Sequence, residues 1–177
     1  MRKFPLILNA CFIFAQVVLA QNATTIKLST SAFGRSGGKA EADPEAERRL
    51  FNMANADRVK AGLPPLQMDD GLTQEAREHA VALAATRQLS HQLAGEMPLN
   101  LRLASHTKLH FDREGENVAS APTVEQAHES LMLSPSQREN VLNAAYNVAG
   151  FGVARSGNTL FVTEDFAKTE SLSPGRQ

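Results

Sequence analysis

The sequence of 177 residues predicts a mixed α/β domain with a small antiparallel sheet. Three observations point there: four segments with apolar residues at helical spacing between residues 44 and 142, a switch to alternation after Tyr146, and a Ser156-Gly157-Asn158 turn between two alternating runs. Helices first and a hairpin last give one domain of about 125 residues, an ordinary size for a single core.

Residues 1–20 open with Arg2 and Lys3, run apolar from Phe4 to Leu19 and close on Val18-Leu19-Ala20. That is the charged, apolar and small-residue order of a secretory signal peptide cleaved after Ala20. Asn9 and Gln16 interrupt the run, which is shorter than the roughly 20 apolar residues that span a bilayer, so no transmembrane helix is expected in the exported chain. The one cysteine, Cys11, lies in this leader. The exported chain is therefore expected to be free of disulfides and of Cys-based zinc sites, which suggests a bacterial type of secreted product. The 18 basic residues are matched by 19 acidic ones, and loss of Arg2 and Lys3 tips the balance further to acid. Bulk attraction to nucleic acid is thereby excluded.

Residues 21–43 are rich in Ser, Thr, Gly and Ala, with Ile26, Leu28 and Phe33 the only large apolar residues. Such a segment buries too little surface to offset its ordering entropy and is expected to be a flexible linker. Gly34 to Lys39 has neither the spacing of a phosphate loop nor a strand before it.

Asp43 and Pro44 supply a cap and a first-turn proline, and Leu50, Met53, Ala54 and Val59 recur at helical spacing, giving a helix over 44–61 that Gly62 and Pro64-Pro65 stop. A second helix opens after Asp69-Asp70-Gly71, carries Leu72, Ala76, His79, Ala80 and Leu83 on one face, and runs to about Gln88. Between Ala94 and Arg113 only a short helix over Leu99 to Ala104 can be placed. Thr123 begins a third good pattern, with Val124, Ala127, His128 and Leu131 on one face, ending at Leu133. Ser134, Pro135 and Gln137 stand at the cap, first and third positions of a capping box that opens a helix through Leu142. In the next strand Phe151 and Val153 point one way, while Val148, Gly150, Gly152 and Ala154 point the other and leave an almost bare face. Leu160, Val162, Glu164 and Phe166 alternate with Thr159, Phe161 and Thr163 to complete the hairpin. Residues 169–177 form a polar tail expected to fray.

Once placed on these elements, the residues spell a series. Asn55 to Arg58, Gly62-Leu63-Pro64-Pro65-Leu66, Asp70, Ala76 with His79-Ala80, Ser90-His91, Gly115-Glu116-Asn117-Val118-Ala119, Ser134-Pro135, Arg138 with Asn140-Val141-Leu142, and Gly150-Phe151-Gly152-Val153 stand in this order. The series resembles the CAP superfamily of cysteine-rich secretory proteins, antigen 5 and pathogenesis-related class 1 proteins (the SCP/TAPS domain), and is most similar to its bacterial, secreted, disulfide-free branch. The resemblance runs from about Leu50 to Ala167 and implies an α-β-α sandwich, helices on both faces of the sheet, within a domain of residues 44–168.

The resemblance also implies a cleft in which two His and two Glu converge and can bind a divalent metal such as zinc. His91 matches the first histidine and Glu116 the first glutamate. Gln137 stands where the second histidine is expected, and no acid lies from Leu131 to Ser134; Glu129 and His128 are the accessory candidates nearby. An amide is a poor zinc ligand beside imidazole, and two protein ligands fall short of the usual three or four. His91 is thus a metal ligand or general base, or a polar residue paired with Glu116. Glu116 is a water activator, or a buried carboxylate held by backbone amides. Gly115, Asn117, Ser134, Arg138 and Asn140 are read as structural, the glycine permitting close approach and the Asn117 amide capping a turn. His79 and His128 fall on apolar helical faces, as core or boundary residues. His106 and His110 have the spacing of a helical zinc pair but lack the glutamate of a metalloprotease helix. No GxSxG elbow, thiol nucleophile or nucleotide-binding loop is present. The function expected is a secreted, non-enzymatic module binding a lipid, a cell-envelope component or a protein. The alternative is a metal-assisted hydrolase or peptidase using His91 and Glu116.

Overall fold

The computed structural model describes residues 40–170. The expected signal peptide, most of the expected linker and residues 171–177 of the tail lie outside them. The elements in chain order are β1 (Glu41–Ala42), α1 (Pro44–Lys60), β2 (Gln67–Met68), α2 (Asp70–Thr86), α3 (Leu99–His106), β3 (Phe111–Ala121), α4 (Val124–Leu133), α5 (Pro135–Val141), β4 (Val148–Ser156) and β5 (Thr159–Thr169).

The β4–β5 hairpin is the centre of the sheet. Gly157 at φ 62° makes its turn, and β5 pairs antiparallel with β4 on one side and β3 on the other. The outer edge of β4 is shared: β1 pairs antiparallel with Ala154 and Arg155, and β2 pairs parallel with Val148 and Ala149. β1 corrects the expected linker, whose last residues are ordered on the sheet through Asp43 N to Val153 O. Thr169 corrects the expected tail. It is the last residue of β5 and exchanges bonds with the Asn147 amide, which substitutes for a backbone partner.

Helices cover both faces. Leu50 and Ala54 of α1 and Val124, Ala127 and Leu131 of α4 pack with Phe151, Val153, Val162 and Phe166 on one side. Leu72, Ala80 and Leu83 of α2 meet Val118, Val148, Phe161 and Ala167 on the other. The bare face of β4 sets the second layer. A Cβ on Gly150 would strike the backbone of Leu72 and Thr73, and one on Gly152 the backbone of Ala76 and Arg77, so the α2 main chain lies directly on the strand. The architecture is the α-β-α sandwich, antiparallel except for the two-residue β2 pairing.

β3 is the long element that periodicity does not reveal. Asp112, Arg113, Glu114, Gly115 and Glu116 give its first half little strand propensity, and pairing with β5 over ten positions decides the matter. Its other edge is sealed by side chains: Tyr146 Oη donates to Glu114 O (2.8 Å), Asn140 Nδ2 to Glu116 O (3.2 Å), and Val118 N to Gln137 Oε1 (2.9 Å). A Cβ on Gly115 would meet Tyr146 Oη and Asn140 Oδ1, so the seal needs glycine there. The expected capping box at α5 is absent: the Ser134 side chain makes no cap bond, and Gln137 spends its carbonyl on β3. Asn117 is likewise no turn cap. Its amide donates to Gln137 O and Glu164 Oε2 (both 2.9 Å) and accepts from Asn140 Nδ2 (2.9 Å). Arg58, buried, ties the loops together by donating to the carbonyls of Pro64, Val141, Asn143 and Tyr146.

Two tests follow from this packing. Gly152→Ala forces a methyl into the α2 backbone and should cost about 3 kcal/mol of stability, the upper end for overpacking, read as a lowered urea midpoint. Glu164 lies wholly buried on the α1/α4 face with Oε1 unpartnered, and burial pushes its carboxyl from 4.5 up to about 7 against the pull of Asn117. The folded chain therefore holds this proton longer than the unfolded one. Its contribution is complete below about pH 4.5 and is lost as pH rises to about 7, a fall of about 3 kcal/mol. Glu164→Gln should remove that part of the pH slope in urea unfolding at pH 5 and pH 8.

Candidate functional site

The site lies on the α2 face, and strand register builds its floor. Glu116 of β3 is directly opposite Asp165 of β5, which is in turn opposite Gly150 of β4. Glu116 and Asp165 project on the same side, and where Gly150 has no side chain α2 descends with Glu75. His79, one turn further along α2, shares that buried face. The segment after α2 brings His91 and Glu96, and α3 brings Arg102.

Glu116 is the hub. Its Oε1 accepts from His91 Nδ1 (2.8 Å) and its Oε2 from Arg102 Nη2 (2.6 Å), with His79 Nε2 at 3.8 Å. Side-chain donors, not the backbone amides expected, hold it. Arg102 Nη1 donates to Glu75 Oε1 (2.7 Å) and Nη2 also to His91 O (3.2 Å), so one guanidinium joins two carboxylates and the loop. His79 Nδ1 faces Glu96 Oε1 (3.1 Å) and Nε2 faces Ser90 O (3.0 Å), while Leu93 N donates to Glu96 Oε2 (2.6 Å). The loop carrying His91 is thereby pinned to α2 at its neck.

Exposure divides the pair. The Glu116 side chain is 2% exposed and that of His91 61%. The hydrogen bond that His91 donates to Glu116 raises the His91 pKa, against partial burial and the nearby Arg102 charge. Burial works against the Arg102 charge, but Glu116 and Glu75 outweigh it and its pKa is raised. Asp165 is pushed well up by burial first, and then by the neighbouring Glu75 and Glu116 carboxylates.

The other sequence candidates lie apart. Gln137 and Asn140 sit on the edge of β3, as described, where the Gln137 oxygen accepts from Val118 N and the Asn140 amide donates to Glu116 O. Glu129 is exposed on α4. His128 is buried between α4 and α1, its Nε2 on Asp57 Oδ2 (2.9 Å). Ser134 and Arg138 border α5 on the far side, where Arg138 and Arg113 line a groove with Met132, Leu133 and Leu142. His106 ends α3, bonded to Arg102 O and Glu78, and His110 lies beyond the helix and exposed, so the two make no helical pair. Within the set the resemblance implies, both oxygens of Glu116 and the side-chain oxygen of Gln137 are engaged by protein donors, whereas His91 Nε2 has no protein partner. Sequence reasoning missed Glu75, Glu96, Arg102 and Asp165. The one available signal was the Glu75–His79 spacing on an apolar helical face.

An α-β-α sandwich with a sheet-borne glutamate holding a loop histidine defines a class of small domains, and the comparisons agree. The profile of the Cysteine-rich secretory protein family (CAP) matches residues 51–166, well over half the sequence, and the chain belongs to that family. The uncharacterized protein YkwD of Bacillus subtilis is 28% identical over 113 residues, 63% of this chain and 44% of that protein. An extracellular SCP-domain protein from Bacillus anthracis superposes with a TM-score of 0.66 at 25% identity, over 72% of this chain and 41% of that one. An outer surface protein of Borrelia burgdorferi gives 0.66 at 23% identity, over 74% and 99% of the two chains. The chain thus spans under half the length of the two Bacillus proteins. It is of the bacterial type, and no helix among the described residues is long and apolar enough to cross a membrane.

Because Glu116 sets the protonation of His91, Glu116→Gln should lower the His91 midpoint in an NMR titration of the imidazole, while the His106 midpoint stays in place.

Proposed function

We propose that this is a secreted, non-enzymatic CAP domain that binds an extracellular ligand, a lipid, a cell-envelope component or a protein, with His91 as the contact group. One observation carries the reading: an exposed imidazole is fixed from beneath by a buried carboxylate, so a positioned donor is presented to solvent on a rigid base. The raised pKa keeps that ring cationic over a wider range of pH and favours an acidic or polar group on the ligand. Export is supported by the leader at residues 1–20 and by likeness to the extracellular SCP-domain protein of B. anthracis.

The hydrolase alternative has less support. A base at His91 Nε2 has the correct support from Glu116, yet no Ser, Thr or Cys among the described residues is hydrogen-bonded to His91, and Arg102 engages the carboxylate that would hold a metal. The two readings separate on one residue. Binding to lipid, polysaccharide and protein fractions of the producing cell's envelope should fall at least tenfold in His91→Ala, and peptide and ester substrates should show no turnover that depends on His91. Turnover abolished by His91→Ala would establish the hydrolase instead.

A further inference from the structure

Glu75, Glu116 and Asp165 present carboxylate oxygens that all lie within 4.8 Å of one another, each residue at most 6% exposed. Like charges packed so closely out of water require a cation or a proton. We infer that Arg102 is the resident cation of this cleft, its guanidinium bridging Glu75 and Glu116 in the position a divalent metal would need, so that the site is complete without metal.

The guanidinium fork fits both carboxylates at once, Nη1 to Glu75 at 2.7 Å and Nη2 to Glu116 at 2.6 Å, which a point charge on lysine could not do. Nor is Arg102 a surface residue folded inward by chance. It is 6% exposed, its backbone N–H donates to Pro98 O, and its carbonyl accepts from Ser105 Oγ and His106 Nδ1. The oxygens left over are Glu75 Oε2 and both of Asp165, buried and without a donor.

A metal at this place would have to expel the guanidinium from two short, charge-assisted bonds. The cleft charge is consequently written into the chain and independent of metal supply. This holds whether the outward His91 serves binding or hydrolysis, so its failure would be distinct from failure of the proposed function.

The test is gain of a metal site on removing the built-in cation. In EDTA-stripped wild-type protein, 1 mM Zn2+, Mn2+ or Ca2+ should leave the melting temperature unchanged. Arg102→Met should melt lower than wild type, and Mn2+ or Zn2+ should raise its Tm by on the order of 5 °C, reversibly with EDTA and not when Glu75→Gln is added. Should Arg102→Met be unfolded in EDTA, recovery of its circular dichroism with Mn2+ or Zn2+ supports the inference, and no recovery overturns it. Calorimetric uptake of one metal by wild type that is lost in Glu116→Gln overturns it, as does an Arg102→Met variant as stable as wild type and indifferent to metal.

Discussion

The structure depends on how closely α2 lies against β4. With no Cβ at Gly150 or Gly152, the helix main chain rests on the strand main chain, and side chains on the buried face of α2 reach the sheet floor. Glu75 is thereby brought to Asp165 and His79 to within 3.8 Å of Glu116. Were the helix pushed out by the width of a methyl, Arg102 could no longer bridge Glu75 and Glu116, because a fork with two bonds of 2.6–2.7 Å has no slack. The fold and the cleft are thus one packing problem.

The opposite layer solves a different one. Buried Arg58 takes four carbonyls, one from the α1–β2 loop, one from the end of α5 and two from the loop after it, and Asn55 exchanges two bonds with Leu66, so the connections into β2 and β4 are fixed. Tyr146, Asn140 and Gln137 do the same for the open edge of β3, which would otherwise offer unpaired groups to another chain. A family named for cysteines is represented here by a chain whose one cysteine cannot form an intrachain disulfide. These side-chain clamps to backbone carbonyls do the work of cross-links.

The helices and the hairpin were legible in the sequence because each has its own periodicity and stop signals: Asp43-Pro44 at the start of α1, the turn at Gly157, the bare face of β4. β3 was not, since its first half reads as a charged loop and only its pairing with β5 makes it a strand. Of the cleft, the His91–Glu116 pair was legible through motif order and one of its two alternative readings. Arg102 was hidden in a short helix with little pattern, and Asp165 in a strand whose acid neighbours give no hint of burial. Gln137 misled for a definite reason: the same side chain can cap its own helix or a neighbouring strand, and sequence spacing rewards only the first.

Placing two acids side by side in the central strand looks wasteful, but it fixes registration. Asn117 faces Glu164 on one side of the sheet and Glu116 faces Asp165 on the other. A slip of one residue between β3 and β5 would set Asn117 against Asp165 and Glu116 against Phe166 in one direction, or Glu116 against Glu164 and Asn117 against Thr163 in the other, and either way would part both acids of β5 from their present partners. Apolar residues tolerate such slips, since Val118, Val162 and Phe161 can repack. The polar pairs cannot, because Glu164 would lose its donor, the Asn117 amide. The acids therefore cost stability and return a single alignment, and that alignment is what puts Glu116 beneath His91.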